Sequence, residues 1–354
     1  MILPERLQLA HLPTPIQELP RLSSAFGRKI YLWRDDLTGF VESGNKVRKL
    51  EFLLAEARSR NASRIITAGG VQSNHTRTTT YLAARLGLPV TLVVRQSPAG
   101  PGHSNHETTG NSFLNRLAGA NIHPVAYQDY RAAGSIYDPF LQEAAEASRR
   151  QGEQPYVIPE GGSSPLGTFG YLTAVKEMLN SWRSLDTGKP HPDALFLAVG
   201  SGGTLAGLHL GYAINDLAVN GLWAVNVCDS EAYFQKRVGK LIRETVQSFD
   251  LISPGHELQI LDGHFGQGYG LAEDADLRFY IRLARHEGIV LDPTYTGKAF
   301  RGMLTELRRD PDRFGTHILF LHSGGTFGNF AYQEQYDRVL SNEVEWESPG
   351  EWEY

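Results

Sequence analysis

Five short segments of the chain carry the residue types that could do chemistry. The first, residues 43–51, reads SGNKVRKLE, and its apolar residues recur at helical spacing, which predicts a helix capped by Ser43 or Asn45. Lys46 then falls in the first helical turn, where the helix dipole disfavours a cation. A lysine placed there suits an imine to a carbonyl compound, although a solvated lysine is the ordinary alternative.

Two further segments each follow an apolar strand and open a helix. In residues 68–76, AGGVQSNHT, Ser73 and Asn74 could bind a carboxylate or a ring oxygen beside the helix N–H groups, or simply cap the helix. In residues 199–207, VGSGGTLAG, the glycines let the backbone approach a phosphate closely. The segment at 199–207 has neither a Walker lysine nor a convincing dinucleotide fingerprint. Its simplest ligand is therefore a single phosphate group, and the alternative is a tight turn between strand and helix that binds nothing.

The remaining candidates are weaker when each is taken alone. Residues 291–298, LDPTYTGK, and residues 321–326, LHSGGT, could each place a hydroxyl group at the end of a strand. The His103-x-x-His106-Glu107 segment could bind a metal, but it lies in a polar loop and no further ligand is in evidence, so we predict no metal site. Cys228 follows an apolar strand and is interpreted as a buried small residue rather than a nucleophile.

An alternation of strands and helices must position these segments. Strands are predicted at 29–33, 64–68, 90–94, 122–126, 195–199, 223–227 and 317–321, and helices at 76–86, 110–118 and 168–180. The alternation predicts parallel sheets with helices on both faces, which bind ligands at the carboxyl ends of the strands. Residues 194–214 carry no charge and could span a bilayer by length, but their central GSGGT indicates a strand, a loop and a helix instead.

Composition narrows the classes of function. The 354 residues suffice for two domains, and a formal net charge of −5 offers no basic excess for nucleic acid or an anionic membrane surface. A single cysteine excludes an internal disulfide and a multi-cysteine zinc site. The first residues, MILPER, lack the features of a signal peptide, so we expect a cytoplasmic protein with neither a nucleic-acid nor a membrane partner.

Together the five segments resemble the fold type II pyridoxal-phosphate enzymes, specifically the 1-aminocyclopropane-1-carboxylate deaminase and D-cysteine desulfhydrase group. The resemblance runs in order from residue 13 to about residue 332, and its most specific part is GNKxRKLE followed by QSN. It implies an α/β fold of two domains, each with a mostly parallel twisted sheet flanked by helices, like the β subunit of tryptophan synthase. We predict a large cofactor-binding domain (1–50 and 160–342), a small domain (51–159), an acidic tail (343–354) and a homodimer.

The resemblance also implies pyridoxal 5'-phosphate as the cofactor, a small amino acid as the substrate, and a set of site residues. The implied catalytic residues are Lys46, which forms the Schiff base, with Ser73, Tyr269 and Tyr295. The implied cofactor-binding residues are Lys46, Asn45, Asn74, Gly200, Ser201, Gly202, Gly203, Thr204, Thr296 and Ser323. The implied substrate-binding residues are Gln72, Ser73, Asn74, His75 and Tyr295.

Two positions bear on the subgroup. The deaminases of the group have a glutamate after the tyrosine of their Asp-Pro-x-Tyr motif and a leucine before a Gly-Gly pair, whereas this chain has Thr296 and Ser323. A carboxylate near the pyridine nitrogen would keep that nitrogen protonated and make a deeper electron sink, which a hydroxyl group does less well. Opening a cyclopropane ring needs the deeper sink more than β-elimination does, so we expect one of the two hydroxyls to face the nitrogen and D-cysteine to be the substrate.

The expected reaction is α,β-elimination that converts D-cysteine to pyruvate, ammonia and hydrogen sulfide. Lys46, Ser73 or a tyrosine would remove the α-proton, and we expect Arg48, Lys49 and the helix N-terminus to lower the pKa of Lys46. Three alternatives remain open: another substrate, such as 1-aminocyclopropane-1-carboxylate or L-cysteate; a catalytically silent pyridoxal-phosphate-binding protein; and a nicotinamide oxidoreductase, which lacks its fingerprint here.

Overall fold

The computed structural model describes residues 3–96, 109–254 and 258–342. The strands within these residues are β1 (Ile16–Glu18), β2 (Lys29–Trp33), β3 (Arg64–Gly70), β4 (Val90–Arg95), β5 (Asn121–Val125), β6 (Pro155–Ile158), β7 (Ala194–Val199), β8 (Leu222–Asn226), β9 (Gln259–Leu261) and β10 (His317–Leu321). The helices are α1 (Pro20–Phe26), α2 (Lys46–Ser59), α3 (Asn74–Arg85), α4 (Gly110–Leu117), α5 (Tyr127–Ala132), α6 (Asp138–Arg150), α7 (Phe169–Leu172), α8 (Ala174–Arg183), α9 (Gly203–Ile214), α10 (Glu231–Phe249), α11 (Asp274–Glu287), α12 (Thr296–Arg309) and α13 (Gln333–Ser341). Short 3₁₀ segments occupy Asp35–Leu37, Glu160–Gly162, Val219–Gly221 and Thr326–Tyr332.

The strands form two sheets. Six strands make the larger sheet in the order β1-β2-β10-β7-β8-β9, in which only the β1–β2 pair is antiparallel. Four parallel strands make the smaller sheet in the order β5-β4-β3-β6. Because parallel strands end at the same edge of a sheet, the loops that follow β3 and β4, and those that follow β7, β8 and β10, gather at two such edges.

The central strands are apolar along their length because both of their faces are covered. In β7, Leu195 and Leu197 face one core, which α7 to α10 cover, whereas Phe196 faces a second core formed with α11 and α12. The smaller sheet packs on α2 and α3 through Ile65 and Leu92 among others. These covered sheets hold rigid strand ends, where the loops of the site begin.

Most of the predicted elements are present. All seven predicted strands occur within two residues of their expected ends, and the predicted helix at 168–180 is divided into α7 and α8, where the Thr173 hydroxyl donates to the Phe169 carbonyl. The prediction missed β1, β6 and β9, which have only three or four residues and therefore show too little periodicity. The α/β fold with two mostly parallel sheets is confirmed.

The predicted domain division remains a prediction. The four strands of the smaller sheet all lie within residues 51–159, and those of the larger sheet lie in 1–50 and 160–342. The predicted boundary after residue 50 falls inside α2, which continues from Lys46 to Ser59 as one helix.

The stretch at 194–214 forms β7, a loop and α9, as expected. No helix within the described ranges is long and apolar enough to cross a membrane, and the same ranges hold no group of three potential metal ligands. His103, His106 and Glu107, the loop at 100–106 and the acidic tail at 343–354 lie outside the described residues.

Candidate active site

A cavity of about 320 Å³ lies at the carboxyl ends of the strands of both sheets. It brings together most of the residues that the sequence predicted. Those that line it are Asn45, Lys46, Ser73, Asn74, His75, Gly200, Ser201, Gly202, Thr204, Tyr269, Tyr295 and Ser323.

Lys46 is the first residue of α2, and a sharp turn aims it at the cavity. Gly44 has a φ of +115°, and a Cβ at this position would lie 2.9 Å from the Ser323 carbonyl oxygen, so the turn requires glycine. The next backbone N–H, that of Asn45, donates to the same Ser323 carbonyl at 3.0 Å. Burial lowers the pKa of Lys46 to about 8, and the nearby Glu160 carboxylate opposes that shift.

The expected effects of Arg48 and Lys49 on the pKa of Lys46 are not found, because neither cation is among the causes of its shift. The Arg48 guanidinium binds Asp35 at 2.7 Å and Glu177 at 2.8 Å on the other side of α2, so its charge is already paired. Desolvation, rather than a neighbouring arginine, is the main cause of the lowered pKa of Lys46.

Asn45 occupies the N-cap position of α2 without capping the helix. Its side-chain amide donates instead to the Thr204 hydroxyl at 3.0 Å. This bond joins the start of α2 to the glycine-rich loop that precedes α9. Ser43 is not the cap residue either.

The glycine-rich loop forms a cradle at the N-terminus of α9. The Gly203 N–H donates to the Ser163 hydroxyl at 3.1 Å, and Ser163 in turn donates to the Ser201 hydroxyl at 2.9 Å. A Cβ on Gly203 would lie 2.6 Å from the Ser163 hydroxyl and 2.9 Å from the Lys49 amine, so a side chain there would fill the cradle. Helix N–H groups beside a lysine amine suit a phosphate group.

Lys49 and Ser163 are residues of this cradle that sequence reasoning missed. Lys49 is fully buried, and its amine donates to the Gly161 carbonyl at 3.2 Å. Burial, followed by the charges of Lys46 and Arg237, lowers its pKa well below the usual value. The helical spacing of Lys46 and Lys49, three residues apart on one face, was the signal that could have placed both at the site.

Ser73, Asn74 and His75 lie together at the start of α3. The Ser73 hydroxyl caps the helix by accepting the Thr76 N–H at 3.3 Å. The side-chain oxygen of Asn74 accepts from the Asn111 amide at 2.8 Å. The NH₂ group of Asn74 therefore remains available to donate to a ligand.

The ring of His75 has a defined tautomer. Thr67 gives its hydroxyl proton to the Ile158 carbonyl at 2.7 Å, so His75 Nε2 carries a proton and donates it to the Thr67 oxygen at 2.8 Å. His75 Nδ1 is then a buried acceptor without a partner among the described residues. Burial, with the charges of Lys46 and Lys49, lowers the pKa of His75 well below its usual value.

Tyr269 and Tyr295 form a hydrogen-bonded pair, with their hydroxyl oxygens 2.7 Å apart. Burial raises the pKa of Tyr269 to about 12 and that of Tyr295 well above its usual value, so both phenols are protonated. The pair is positioned by α12: Tyr295 immediately precedes this helix, and the Lys298 amine donates to the Phe265 and Gly268 carbonyls of the loop that carries Tyr269.

Three predicted site residues, Gln72, Gly203 and Thr296, lie outside the cavity lining, although Gly203 belongs to the cradle described above. The Gln72 amide donates to the Thr109 carbonyl at 3.0 Å and accepts the Asn111 N–H at 2.9 Å, so it anchors the start of α4. The Thr296 hydroxyl donates to Asp292 at 2.7 Å within the first turn of α12. Of the two hydroxyl residues that bear on the subgroup, Thr296 and Ser323, only Ser323 therefore lines the cavity.

The cavity also has a polar outer part that the sequence motifs did not indicate. Residues that line it there include Arg95, Tyr130, Tyr137, Glu160 and Arg237. Arg95 ends β4, and the rule that ligands bind at strand ends could have identified it. Glu160 and Arg237 come from distant parts of the chain, and only the fold brings them within 3.6 Å.

Comparisons with known proteins agree with this geometry. A family model described as "Pyridoxal-phosphate dependent enzyme" matches residues 7–324. A putative 1-aminocyclopropane-1-carboxylate deaminase of Thermotoga maritima is 40% identical over 327 residues, which cover 92% of this chain and 98% of that protein. The mitochondrial bifunctional D-cysteine desulfhydrase/1-aminocyclopropane-1-carboxylate deaminase of Arabidopsis thaliana is 37% identical over 344 residues, which cover 94% of this chain and 81% of that protein.

A solved structure described as an ACC deaminase homologue matches with a TM-score of 0.83 and 35% identity, covering 95% of this chain and 97% of that one. The resemblance drawn from the five segments is thereby confirmed. The chain belongs to the pyridoxal-phosphate-dependent enzymes, and its cofactor is pyridoxal 5'-phosphate.

Proposed function

We propose that this enzyme catalyses α,β-elimination from D-cysteine, with pyruvate, ammonia and hydrogen sulfide as products. The observation that carries the proposal is Lys46, a buried amine with a pKa of about 8 that lines the same cavity as a hydrogen-bonded pair of tyrosines. An amine, proton donors and an anion cradle in one cavity are the parts that this chemistry needs.

The residues present fit the cofactor. The cradle of Gly200, Ser201, Gly202, Gly203 and Thr204, with Lys49 beside it, suits the phosphate. The Asn74 NH₂ group remains free to donate to the ring oxygen, because its carbonyl oxygen is taken by Asn111. Lys46 supplies the amine that holds the cofactor, which on binding provides an electron sink for the α-carbon of the substrate.

In this proposal Lys46, in its neutral form, accepts the α-proton of the substrate. Ser73 and the N-terminus of α3 hold the substrate carboxylate. The pair of Tyr269 and Tyr295 delivers a proton to the sulfur atom as the bond between carbon and sulfur breaks with its electrons on sulfur. One water molecule is consumed when the three-carbon product hydrolyses to pyruvate and ammonia, so no oxidant or reductant is required.

Ser323 supports D-cysteine rather than a cyclopropane substrate. It lines the cavity with a hydroxyl group where the deaminases have a leucine. Their glutamate is replaced by Thr296, whose hydroxyl donates to Asp292, so neither position supplies a carboxylate that would keep a pyridine nitrogen protonated. The second candidate is deamination of 1-aminocyclopropane-1-carboxylate, which the name of the Thermotoga relative favours, whereas the name of the Arabidopsis relative gives both activities. L-Cysteate elimination and a silent cofactor-binding protein are further alternatives that the same assay separates.

We further propose a homodimer located in the cytosol. Large apolar side chains are exposed where the start of α4 meets the 3₁₀ segment Thr326–Tyr332: Phe330 is 57% exposed and its carbonyl accepts from Thr109, and Phe40 is 81% exposed with its ring 6.4 Å from that of Phe327. Such a patch is typical of a protein interface. Light scattering coupled to size-exclusion chromatography would give twice the chain mass of 39.2 kDa, whereas the single-chain mass would contradict the dimer.

The test is to incubate the purified yellow protein with D-cysteine, L-cysteine, L-cysteate and 1-aminocyclopropane-1-carboxylate, and to assay pyruvate, 2-oxobutanoate, sulfide and sulfite. We expect pyruvate and sulfide from D-cysteine, and no activity after Lys46→Ala. Lys240→Ala is the control, because Lys240 is exposed on α10 and pairs only loosely with Glu244. Faster formation of 2-oxobutanoate would favour the deaminase, sulfite from L-cysteate would favour the sulfo-lyase, and no keto acid from any substrate would favour a silent protein.

A further inference from the structure

Arg95, the last residue of β4, lines the cavity but has no part in the reaction proposed above. Its guanidinium lies among three tyrosine rings, 5.8 Å from the centroid of Tyr127, 5.1 Å from Tyr130 and 5.4 Å from Tyr269. Aromatic faces hold a guanidinium in place while its N–H groups stay available for other partners. Arg95 is therefore positioned without being neutralised.

The Arg95 side chain lacks the anionic partner that its surroundings call for. Among residues 3–96, 109–254 and 258–342, its buried Nε atom has no hydrogen-bond partner and no carboxylate forms an ion pair with it; the Glu160 carboxylate acts on Arg95 through its charge but pairs with Arg237. By contrast, Arg237 in the same cavity pairs with Glu160 and donates to the Tyr233 hydroxyl and the Ser201 carbonyl. A partly buried guanidinium without an anion in direct contact is costly, and an anionic ligand would relieve that cost.

Arg95 and Ser73 lie on opposite sides of the end of β3. A Cβ on Gly69 would lie 2.6 Å from the Ser73 hydroxyl, whereas a Cβ on Gly70 would lie 3.7 Å from Arg95 Nη2 and 3.6 Å from the Tyr269 hydroxyl. Consecutive residues of a strand face opposite sides of the sheet. If the substrate carboxylate binds at Ser73, Arg95 is available to bind a second group of the same ligand. That group would lie on the side of the tyrosine pair.

The charges of the side chains that line the cavity also favour an anionic ligand at Arg95. Its cationic side chains are Lys46, Arg95, Arg131 and Arg237, whereas its carboxylates are Glu160 and Asp229. A phosphate in the glycine cradle would lie on the side of Arg237, which donates to the Ser201 carbonyl of that loop. Arg95 remains the cation that faces the tyrosine pair.

We propose that Arg95 is a second anion subsite, which binds an oxyanion on the side chain of the amino-acid substrate. The planar fork of a guanidinium matches an oxyanion such as a carboxylate or a sulfonate better than it matches a neutral thiol. This proposal rests on the proposed function, because it names the class of substrate that the same site binds: amino acids whose β-carbon carries a negatively charged group, in addition to D-cysteine.

The test measures binding rather than turnover. Alanine and aspartate, in both enantiomers, are titrated into the holoenzyme, and the visible absorbance of the bound cofactor reports occupancy; neither amino acid carries a group that leaves by β-elimination. For at least one enantiomer we expect aspartate to bind about tenfold or more tightly than alanine. Arg95→Gln should raise the dissociation constant for aspartate by a factor of about 10 to 100 and change that for alanine by no more than about threefold. Arg95→Lys should restore part of the loss, because it keeps the charge without the fork.

Arg131→Gln is the matched control. Arg131 is exposed at the rim of the same cavity and donates to the Ser135 hydroxyl, so its removal changes the local charge without touching the tyrosine cage. Both dissociation constants should stay within about twofold.

Two results would overturn the subsite. One is wild-type enzyme that binds alanine as tightly as aspartate in both enantiomeric series, which needs no variant to fold. The other is an Arg95→Gln enzyme whose affinity for alanine and for aspartate falls by the same factor. That result would mean that Arg95 binds the α-carboxylate or maintains the fold. Because the absorbance change does not require turnover, failure of D-cysteine elimination would leave this test readable.

Discussion

The proposed chemistry depends on the protonation state of Lys46. Its position was predictable, because GNKVRK fits a family motif and places a lysine in an unfavourable first helical turn. The cause of its lowered pKa was not, because burial depends on packing from distant segments, and Arg48 turned out to pair with Asp35 and Glu177. Motif spacing identifies the side chain, whereas tertiary contacts set its chemistry.

The uptake of the cofactor by the apo-protein should follow the titration of Lys46. Only the neutral amine attacks a carbonyl, so the uptake rate should rise with pH and level off above about 8, the pKa of Lys46. Glu160→Gln should move the midpoint to lower pH, because the Glu160 carboxylate raises this pKa. Stopped-flow absorbance at a series of pH values measures both; a rate that continues to rise towards pH ~10, near the ordinary lysine pKa, would contradict the account.

The tyrosine pair should act as one unit. Tyr269→Phe and Tyr295→Phe should each lower kcat for D-cysteine by a factor of about 10² or more, because each breaks the 2.7 Å hydrogen bond. The double variant should be little worse than the poorer single one. Tyr212→Phe, a buried tyrosine of α9 outside the cavity lining, should change kcat little. Strictly multiplicative losses would mean that the two hydroxyls act separately.

The glycine cradle shows what element prediction can and cannot supply. The strand, loop and helix at 194–214 were readable from the glycines and the apolar runs on either side. The partners of the loop were not, because Ser163 and Lys49 belong to other elements far away in the sequence. Gln72 and Thr296 lie outside the cavity lining for different reasons: Gln72 bonds the Thr109 carbonyl, which is distant in sequence, whereas Thr296 bonds the nearby Asp292 side chain in the first turn of α12.

A side chain in the cradle should weaken cofactor binding without unfolding the protein. In Gly203→Ala the new Cβ would lie 2.6 Å from the Ser163 hydroxyl and 2.9 Å from the Lys49 amine, so we expect at least about a tenfold rise in the cofactor dissociation constant. Gly239→Ala is the control, since in α10 its Cβ would meet only Arg243 at 3.4 Å. It should leave the affinity unchanged and stabilise the helix by about 0.5–1 kcal/mol. Unchanged cofactor affinity in Gly203→Ala would show that the cofactor phosphate does not bind in this cradle.

In the molecule as a whole, a buried ionic network ties the start of α2 to the larger sheet. Asp35 follows β2 and accepts from Arg48 of α2, the Thr14 hydroxyl and the Tyr171 hydroxyl of α7, while Glu177 of α8 binds the same guanidinium. The two-sheet α/β architecture was predictable from the alternation of elements and the family resemblance. The network was not, since its members come from segments that are far apart in sequence.

Loss of one member of this network should destabilise the fold. Asp35→Asn leaves the buried Arg48 without its main counter-charge, and we expect the free energy of unfolding to fall by about 3–5 kcal/mol. Glu18→Gln removes an exposed ion pair with Lys29 and should leave the free energy of unfolding almost unchanged. Urea unfolding of both variants measures the difference, and equal losses would contradict the role given to the network.

The most direct test of the account is to find which lysine holds the cofactor. Borohydride reduction of the holoenzyme fixes the cofactor covalently to the amine that bears it, and peptide mass spectrometry then locates the modified residue. We predict that the modification lies on Lys46 alone. Modification of Lys49 or another lysine, or none in a yellow protein, would contradict the central claim.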